Sequence, residues 1–268
     1  MEPFPGHRLC EIMGRGSFAE VWKAETPDGG SLALKFLSPE MGKATPAEIR
    51  SIQFVRQLAH SNLTHIHRVW CHLGYIVIAM ELAEGSLLDL LEVHQSDTGK
   101  ALPLEHVCFF LAQIADALDF LNARQHKIDG RLVAVQHCDV KPSNMLLFGD
   151  TVKLCDFGIA TMMTASIMNR KPSGTPDYAA PEVFRSRLSN RTDQYALAIT
   201  YCQLRGGRLP FPDTPSSLLP TYTRPRPDLS MIPDREHEVV IRALSHMPQD
   251  RFSSCAEFIE SLANINVF

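Results

Sequence analysis

No uninterrupted apolar run in these 268 residues reaches the roughly 18 that a membrane-spanning helix needs. The longest contender, Leu104 to Leu121, is broken by Asp116 and Asp119. The opening stretch MEPFPGHRLCEIMGRG has no basic segment followed by an apolar one, so no secretory signal is expected. Paired cysteines are missing too. The seven cysteines are odd in number and none are spaced Cys-x-x-Cys, which argues against a zinc or redox motif and for reduced thiols in a cytosolic setting. There is no excess of positive charge: 26 Lys+Arg stand against 30 Asp+Glu, a formal net charge of -4, so no bulk field draws nucleic acid or an anionic membrane. Any phosphate site must be built locally. Glycine and proline, 15 and 18 residues or about one in eight, are too sparse for a collagen-like or linker-like chain. No internal repeat is present.

What remains is the composition of a globular protein. With 45% hydrophobic and 21% charged residues the chain can bury a sizeable core, and its length suggests two lobes or one large domain at roughly 150 residues each. Residues 8 to 36 alternate short apolar segments with turn signals, and Pro27-Asp28-Gly29-Gly30 between two of them predicts a hairpin. A helical pattern from about Pro46 to Leu58 is opened by Thr45-Pro46-Ala47-Glu48, which has capping-box spacing and proline at the first helical position. Tyr75 to Met80 is a buried-strand run. After Ala83-Glu84-Gly85-Ser86 the texture changes. Residues 104 to 122 put apolar side chains at 107, 111, 114, 118 and 121, the wide face of a helix, and helical spacing assigns Phe109, Phe110 and Phe120 to the core. Further helices are expected from about Thr192 to Leu204 and from Ser254, with Glu257 completing a second capping box. Seven prolines from Pro210 to Pro233 argue against a long regular helix there. The expected class is α+β, a small antiparallel sheet with one helix followed by a mainly helical region.

Gly14-Arg15-Gly16-Ser17-Phe18-Ala19-Glu20-Val21 would let backbone N–H groups approach phosphate oxygens, although a lone G-x-G is more often only a turn. A dinucleotide fold needs a helix directly after the glycines; here a strand follows and turns at Pro27 to Gly30. Leu32-Ala33-Leu34-Lys35 then ends in a lysine on an apolar strand. Further on stand His137-Cys138-Asp139-Val140-Lys141-Pro142-Ser143-Asn144, Asp156-Phe157-Gly158, and Gly174-Thr175-Pro176-Asp177-Tyr178-Ala179-Ala180-Pro181-Glu182. Each alone reads as ordinary loop chemistry. In this order, over about residues 8 to 262, the chain resembles a protein kinase catalytic domain, specifically the bacterial serine/threonine kinases of eukaryotic type.

The resemblance implies a two-lobed protein kinase-like fold over residues 1–268: an N-terminal lobe to about 82, a hinge at about 81–85 and a C-terminal lobe from about 86. It implies Mg²⁺ and ATP bound between the lobes and γ-phosphoryl transfer to Ser or Thr hydroxyls of protein substrates. Such chemistry rests on positioning and charge neutralisation rather than covalent work. By the same resemblance, Gly14, Arg15, Gly16, Ser17, Phe18 and Ala19 would cover the phosphates and Lys35 would neutralise the α and β groups. Asn144 and Asp156 would hold Mg²⁺ through hard oxygen donors. Asp139 would accept or orient the substrate proton, Lys141 would touch the γ-phosphate, and Thr175 would support both. Val21, Ala33 and Leu146 resemble the apolar slots around adenine, Met80 the gatekeeper, and Glu81 to Ala83 the hinge whose backbone bonds the adenine edge. Glu182 and Arg251 resemble a buried ion pair, and Asp193 the helix acid that caps the catalytic loop. The implied partners are proteins, with no nucleic acid and no membrane within this chain. The implied setting is the cytoplasm, either as such or as the cytoplasmic domain of a longer, membrane-anchored protein with additional domains.

The chain departs from the family pattern in places. Glu48 is assigned as the acid that pairs with Lys35, although the register from His60-Ser61-Asn62-Leu63 expects it at Ser51, and Glu48 also reads as the capping-box residue of Thr45. Ala19 replaces the third glycine. The connection from Asn122 to Gln136 is longer than usual. His60, His65, His67 and His72 lack a matching set of Cys or carboxylates and are read as structural. Cys138 and Cys155 are read as small packing residues. Two rivals stay open: a pseudokinase or scaffold that binds nucleotide without transfer, opposed by the presence of Lys35, Asp139, Asn144 and Asp156, and a small-molecule or lipid kinase, opposed by the Gly174 to Glu182 segment.

Cys138 stands where regulated kinases carry arginine, so the clamp for an activation-segment phosphate, worth about 1.5–3 kcal/mol, is missing. The hypothesis is that activity does not need that phosphate. Alanine at Thr161, Thr164, Ser166 and Ser173 should leave the protein active, and abolished activity in a still-folded variant would refute it.

Overall fold

The computed structural model describes residues 6–15, 19–37, 54, 56–128, 130–157, 160–165, 167–169 and 174–267. The expected helix from Pro46 to Leu58 lies almost wholly outside them, as do Glu48, Ser51, Gly16, Ser17 and Phe18. The chain forms two compact units, Met1–Ala59 with Leu63–Glu84, and His60–Asn62 with Gly85–Phe268.

The first unit is a five-stranded antiparallel sheet of β1 (Arg8–Arg15), β2 (Ala19–Glu25), β3 (Ser31–Leu37), β4 (Ile66–His72) and β5 (Tyr75–Met80), in the order β1-β2-β3-β5-β4. The hairpin expected at Pro27 to Gly30 is present: Thr26 N–H donates to Gly30 O at 3.0 Å, and Gly29 turns the chain at φ +82°. Strand alternation divides the side chains between two faces. Ala24, Leu32, Leu34, Val77 and Ala79 bury one face together with Leu9, Phe36 and Trp70. On the other, Val21 lies opposite Lys35 and Lys35 opposite Ile78, while Ala33 lies opposite Met80. Ile76 and Ile78 pack there with Leu37, Ile66 and Val69. Lys35 thus sits on this face among Val21, Ala33, Ile76 and Ile78, with Lys23 opposite Ala33 towards the end of the strand pair.

The second unit is mainly helical. Its helices are α1 (Leu87–Thr98), α2 (Leu104–Asn122), α3 (Pro181–Phe184), α4 (Thr192–Gly206), α5 (Asp234–Ala243) and α6 (Cys255–Ala263). The capping box Ser86–Asp89 starts α1, and Gly99 ends it in the left-handed region. In α2 the periodic positions Val107, Leu111, Ile114, Leu118 and Leu121 are all buried. Phe109 corrects the expectation for the aromatic strip: it is 52% exposed, because its position faces away from the 107/111/114/118 stripe. Phe110 and Phe120 are half-buried. Every side chain from Thr192 to Cys202 is buried, so α4 is the centre of the unit. No helix occurs from Gly207 to Pro233.

At α6 the second capping box forms only in part. Ser254 Oγ accepts from Glu257 N–H at 3.0 Å, but the Glu257 carboxylate reaches one residue further back, where Ser253 offers both an N–H, at 2.8 Å, and a hydroxyl. Asp119 of α2, one of the acids that interrupt the apolar run, accepts from Cys255 N–H and Ala256 N–H at 2.8 and 2.9 Å. That carboxylate satisfies the first amides of α6 from a neighbouring helix.

Three small sheets complete the unit. β6 (Gly85–Ser86), β9 (Met145–Phe148) and β10 (Thr151–Leu154) pair in the order β10-β9-β6. The long connection after Asn122 is a hairpin of β7 (His126–Ile128) and β8 (Arg131–Gln136), and β11 (Thr161–Met163) adds to the far edge of β8. His126 Nε2 donates towards Phe120 O and Leu121 O at 2.9 and 3.1 Å, which ties the hairpin to the last carbonyls of α2. β12 (Ile167–Asn169) pairs with β13 (Arg187–Ser189).

α3 is locked to the C-terminal region by a bidentate ion pair. Arg251 Nη1 and Nη2 donate to the two Glu182 oxygens at 2.9 and 2.8 Å, with 0% and 9% of the two side chains exposed. Ser189 and Thr192 hydroxyls donate to the same carboxylate at 3.0 and 2.9 Å. Burial pushes the Glu182 carboxyl up, but the Arg251 hydrogen bonds and charge outweigh it, so the native pKa lies below the usual glutamate value. A lowered native pKa contributes stability above the unfolded value, about 4.3, and that stability is lost as pH falls through the native one. Glu182→Gln should cost about 3–5 kcal/mol by stranding the guanidinium, and the gap to the parent should narrow on acidification below that range. Urea titrations at neutral and acid pH check this; an equal gap at both would contradict it.

Candidate active site

Strand β8 delivers the chain into the loop His137–Lys141, which passes through a short 3-10 turn, Pro142–Asn144, into β9. His137 is fully buried. Its Nδ1 accepts from Asp139 N–H at 3.3 Å, so Nε2 carries the hydrogen and donates to Cys155 O at 2.8 Å. The Phe157 ring meets it edge-on, with centroids 4.8 Å apart. One imidazole thus joins the 137–144 loop to the start of Asp156-Phe157-Gly158.

Asp193, in the first turn of α4, holds the loop from below. Its carboxylate accepts from His137 N–H at 2.6 Å and Cys138 N–H at 2.9 Å. Cys138 has φ +68° and Asp156 φ +65°, a left-handed conformation that costs a non-glycine residue about 1–3 kcal/mol and persists only where its surroundings over-determine it. The charge-assisted pair to Asp193 supplies that constraint at Cys138. The thiol of Cys138 lies 3.8 Å from Thr161 Oγ1 on β11, and Thr161 is itself buried.

Around Asp139 four predicted residues come together. Oδ1 accepts from the Thr175 hydroxyl at 2.7 Å and Thr175 N–H at 3.3 Å. Oδ2 lies 2.8 Å from Lys141 Nζ and 2.9 Å from Asn144 Nδ2. Lys141 also donates to Thr175 Oγ1 at 2.8 Å. Gly174, at φ +113°, makes the turn that brings Thr175 to this carboxylate. Asn144 Nδ2 donates to Asp139 O as well, at 2.8 Å, so both amide hydrogens go to Asp139 and Oδ1 is left as an oxygen donor. Asn144 O accepts from Cys155 N–H at 2.9 Å, fixing the amide beside the residue that precedes Asp156. Hard oxygens from Asn144 and Asp156 suit Mg²⁺.

The remaining candidates fall as follows. Val21, Ala33, Lys35 and Met80 share one face of the first unit's sheet. Gly14 and Arg15 end β1 and Ala19 begins β2; Arg15 Nε pairs with Glu20 Oε1 at 2.9 Å. Glu81 and Ala83 lie in a segment without regular structure, and the Glu81 carboxylate accepts from His65 N–H at 2.7 Å. Leu146 is half-buried on β9. His60 contacts Asp116 at 3.2 Å, and among the described residues no group of three or more His, Cys, Asp or Glu is arranged to hold a metal ion. Sequence reasoning missed His137 as the link to Cys155 and Arg224 beside Pro176 to Ala179. Burial of the first could be suspected from its place before the loop, whereas the second sits in an aperiodic stretch that carries no signal.

The protein kinase domain family matches residues 7–267. The chain belongs to that family. This kinase domain is 31% identical over 274 residues to serine/threonine-protein kinase PknI of Mycobacterium tuberculosis, covering 97% of this chain and 42% of the relative. It is 34% identical over 225 residues to CBL-interacting protein kinase 4 of Oryza sativa subsp. japonica, covering 80% and 47%. The crystal structure of the M. tuberculosis PknI kinase domain superposes with a TM-score of 0.72 at 29% identity, covering 98% of this chain and 96% of that one. The chain spans less than half the length of these curated relatives.

Proposed function

We propose that this domain is a serine/threonine protein kinase that transfers the γ-phosphoryl group of ATP to Ser or Thr hydroxyls of protein substrates. The observation that carries the reading is the complete cluster at Asp139: a carboxylate held by Thr175, Lys141 and Asn144 within a strained, anchored loop. Mg²⁺–ATP supplies the transferable phosphoryl group and spreads its charge.

The protein's part is positional. Asp139 orients a substrate hydroxyl and takes up its proton, with its own geometry set on both oxygens before substrate arrives. Lys141 balances that carboxylate and offers a cation to the phosphoryl group in flight. Asn144 Oδ1 and Asp156 are assigned to the metal, and Lys35, on the sheet face it shares with Val21, Ala33 and Met80, to the α and β phosphates. Gly14 to Ala19 are assigned to the phosphates, and Val21, Ala33, Met80 and Leu146 to the adenine, with Glu81 to Ala83 along its edge. In this reading a domain with net charge -4 holds a polyanion through individual cations assigned to particular phosphates. A cytoplasmic location, either as such or as the cytoplasmic domain of a longer protein, is part of the same proposal.

Labelled ATP, Mg²⁺ and dephosphorylated casein should give labelled phosphoserine and phosphothreonine with the parent. Asp139→Asn should lower kcat by about a hundredfold or more with ATP affinity unchanged. ATP binding without transfer by the parent would favour the scaffold, and transfer to metabolites alone a small-molecule kinase.

A further inference from the structure

Arg224 lies in the proline-rich stretch between α4 and α5, yet it is 2% exposed. Its Nη2 is 2.6 Å from Pro176 O, 2.7 Å from Asp177 O and 3.0 Å from Ala179 O, so its hydrogens are shared among three carbonyls. Nε lies 3.3 Å from Ala179 O, and Nη1 donates to Thr214 Oγ1 at 2.6 Å. The guanidinium sits 4.6 Å from the Phe211 ring centroid and 5.3 Å from that of Phe184, with Tyr222 at 5.8 Å. Burying a cation is expensive unless it is compensated. Among the described residues no carboxylate forms an ion pair with this one; carbonyl dipoles and ring faces do the compensating.

Those three carbonyls belong to the 3-10 turn Pro176–Tyr178 and the residue after it, immediately beyond Thr175. The turn is shorter than any capped helix and has little intrinsic stability of its own. The turn is also tied to α4, where the Tyr178 hydroxyl donates to Gln203 Oε1, and the Glu182–Arg251 pair attaches further along, at α3. Nη2 alone meets the three carbonyls; what an ammonium group could not add at the same time is the fork's remaining bonds, Nε to Ala179 O and Nη1 to Thr214 Oγ1, and its flat face against Phe211.

We propose that Arg224 is a positioning residue for protein-substrate binding: it fixes the 176–179 turn from the loop between α4 and α5, and thereby the shelf on which a substrate's hydroxyl meets Asp139. The proposal rests on the kinase reading above. It assigns to an aperiodic, proline-rich loop the task of setting substrate affinity without touching nucleotide.

The test compares the parent with Arg224→Lys and Arg224→Met, using dephosphorylated casein and ATP as the variable substrates, at a temperature where circular dichroism shows each variant folded. KM for casein should rise about tenfold or more, as expected for lost charge-assisted hydrogen bonds, with KM for ATP within about twofold. Amide exchange at Tyr178, Ala179 and Val183 should quicken in both variants, since lysine keeps the charge but not the fork. An unchanged casein KM, or an equal rise in both KM values, overturns the proposal. Exchange needs no catalysis and separates the two readings. If the parent labels no casein the kinase reading fails, and then faster exchange still supports the clamp while unchanged exchange overturns it.

Discussion

Two hydrogen bonds to one carboxylate carry the catalytic loop. Asp193 accepts from the His137 and Cys138 amides at 2.6 and 2.9 Å and projects from α4, whose side chains are buried from Thr192 to Cys202. A buried helix therefore grips a strained peptide, where Cys138 has φ +68°. From that point the loop has little choice: His137 turns its Nε2–H to Cys155, Asp139 faces Thr175 and Lys141, and Asn144 closes back on Asp139. Each later contact presupposes the earlier one.

A second pattern is how the domain handles buried charge. Glu182 and Arg251 neutralise each other in a bidentate pair with two hydroxyls added. Asp139 and Lys141 do so in a partly open site, with Thr175 between them. Arg224 has carbonyls and rings in place of a carboxylate. All three hold the stretch from Thr175 to Glu182, so the segment that would receive a protein substrate is tied at its start, middle and end. On either side of it, β11 pairs with β8 and β12 with β13.

Much of this was legible in the residues. The apolar segments between turn signals over 8 to 36 and the apolar run at 75 to 80 predict the sheet, and the 107/111/114/118 stripe predicts α2. The motif residues from His137 to Asn144 and at Thr175 point to one cluster, and the described residues bring Asp139, Lys141, Asn144 and Thr175 together. Phe109 was assigned by helical spacing, but it lies two residues from both 107 and 111 and so on the far side of the helix from that stripe. Glu257 misled because the capping-box pattern does not see that Ser253 offers two donors where Ser254 offers one. The hairpin after Asn122 was missed although Asp129-Gly130 between Ile128 and Arg131 is a two-residue turn signal for it. Arg224 was invisible for a deeper reason: its partners are backbone carbonyls 45 to 48 residues away, and carbonyls leave no mark on sequence.

The central claim is that Asp193, which touches neither nucleotide nor substrate in this reading, sets the geometry on which transfer depends. The direct measurement is single-turnover transfer by Asp193→Asn, alongside its ATP dissociation constant. An amide nitrogen facing an N–H loses one charge-assisted bond of about 1.5–3 kcal/mol, so the rate should fall roughly ten- to hundredfold while ATP affinity holds. A parental rate in the folded variant would contradict the account.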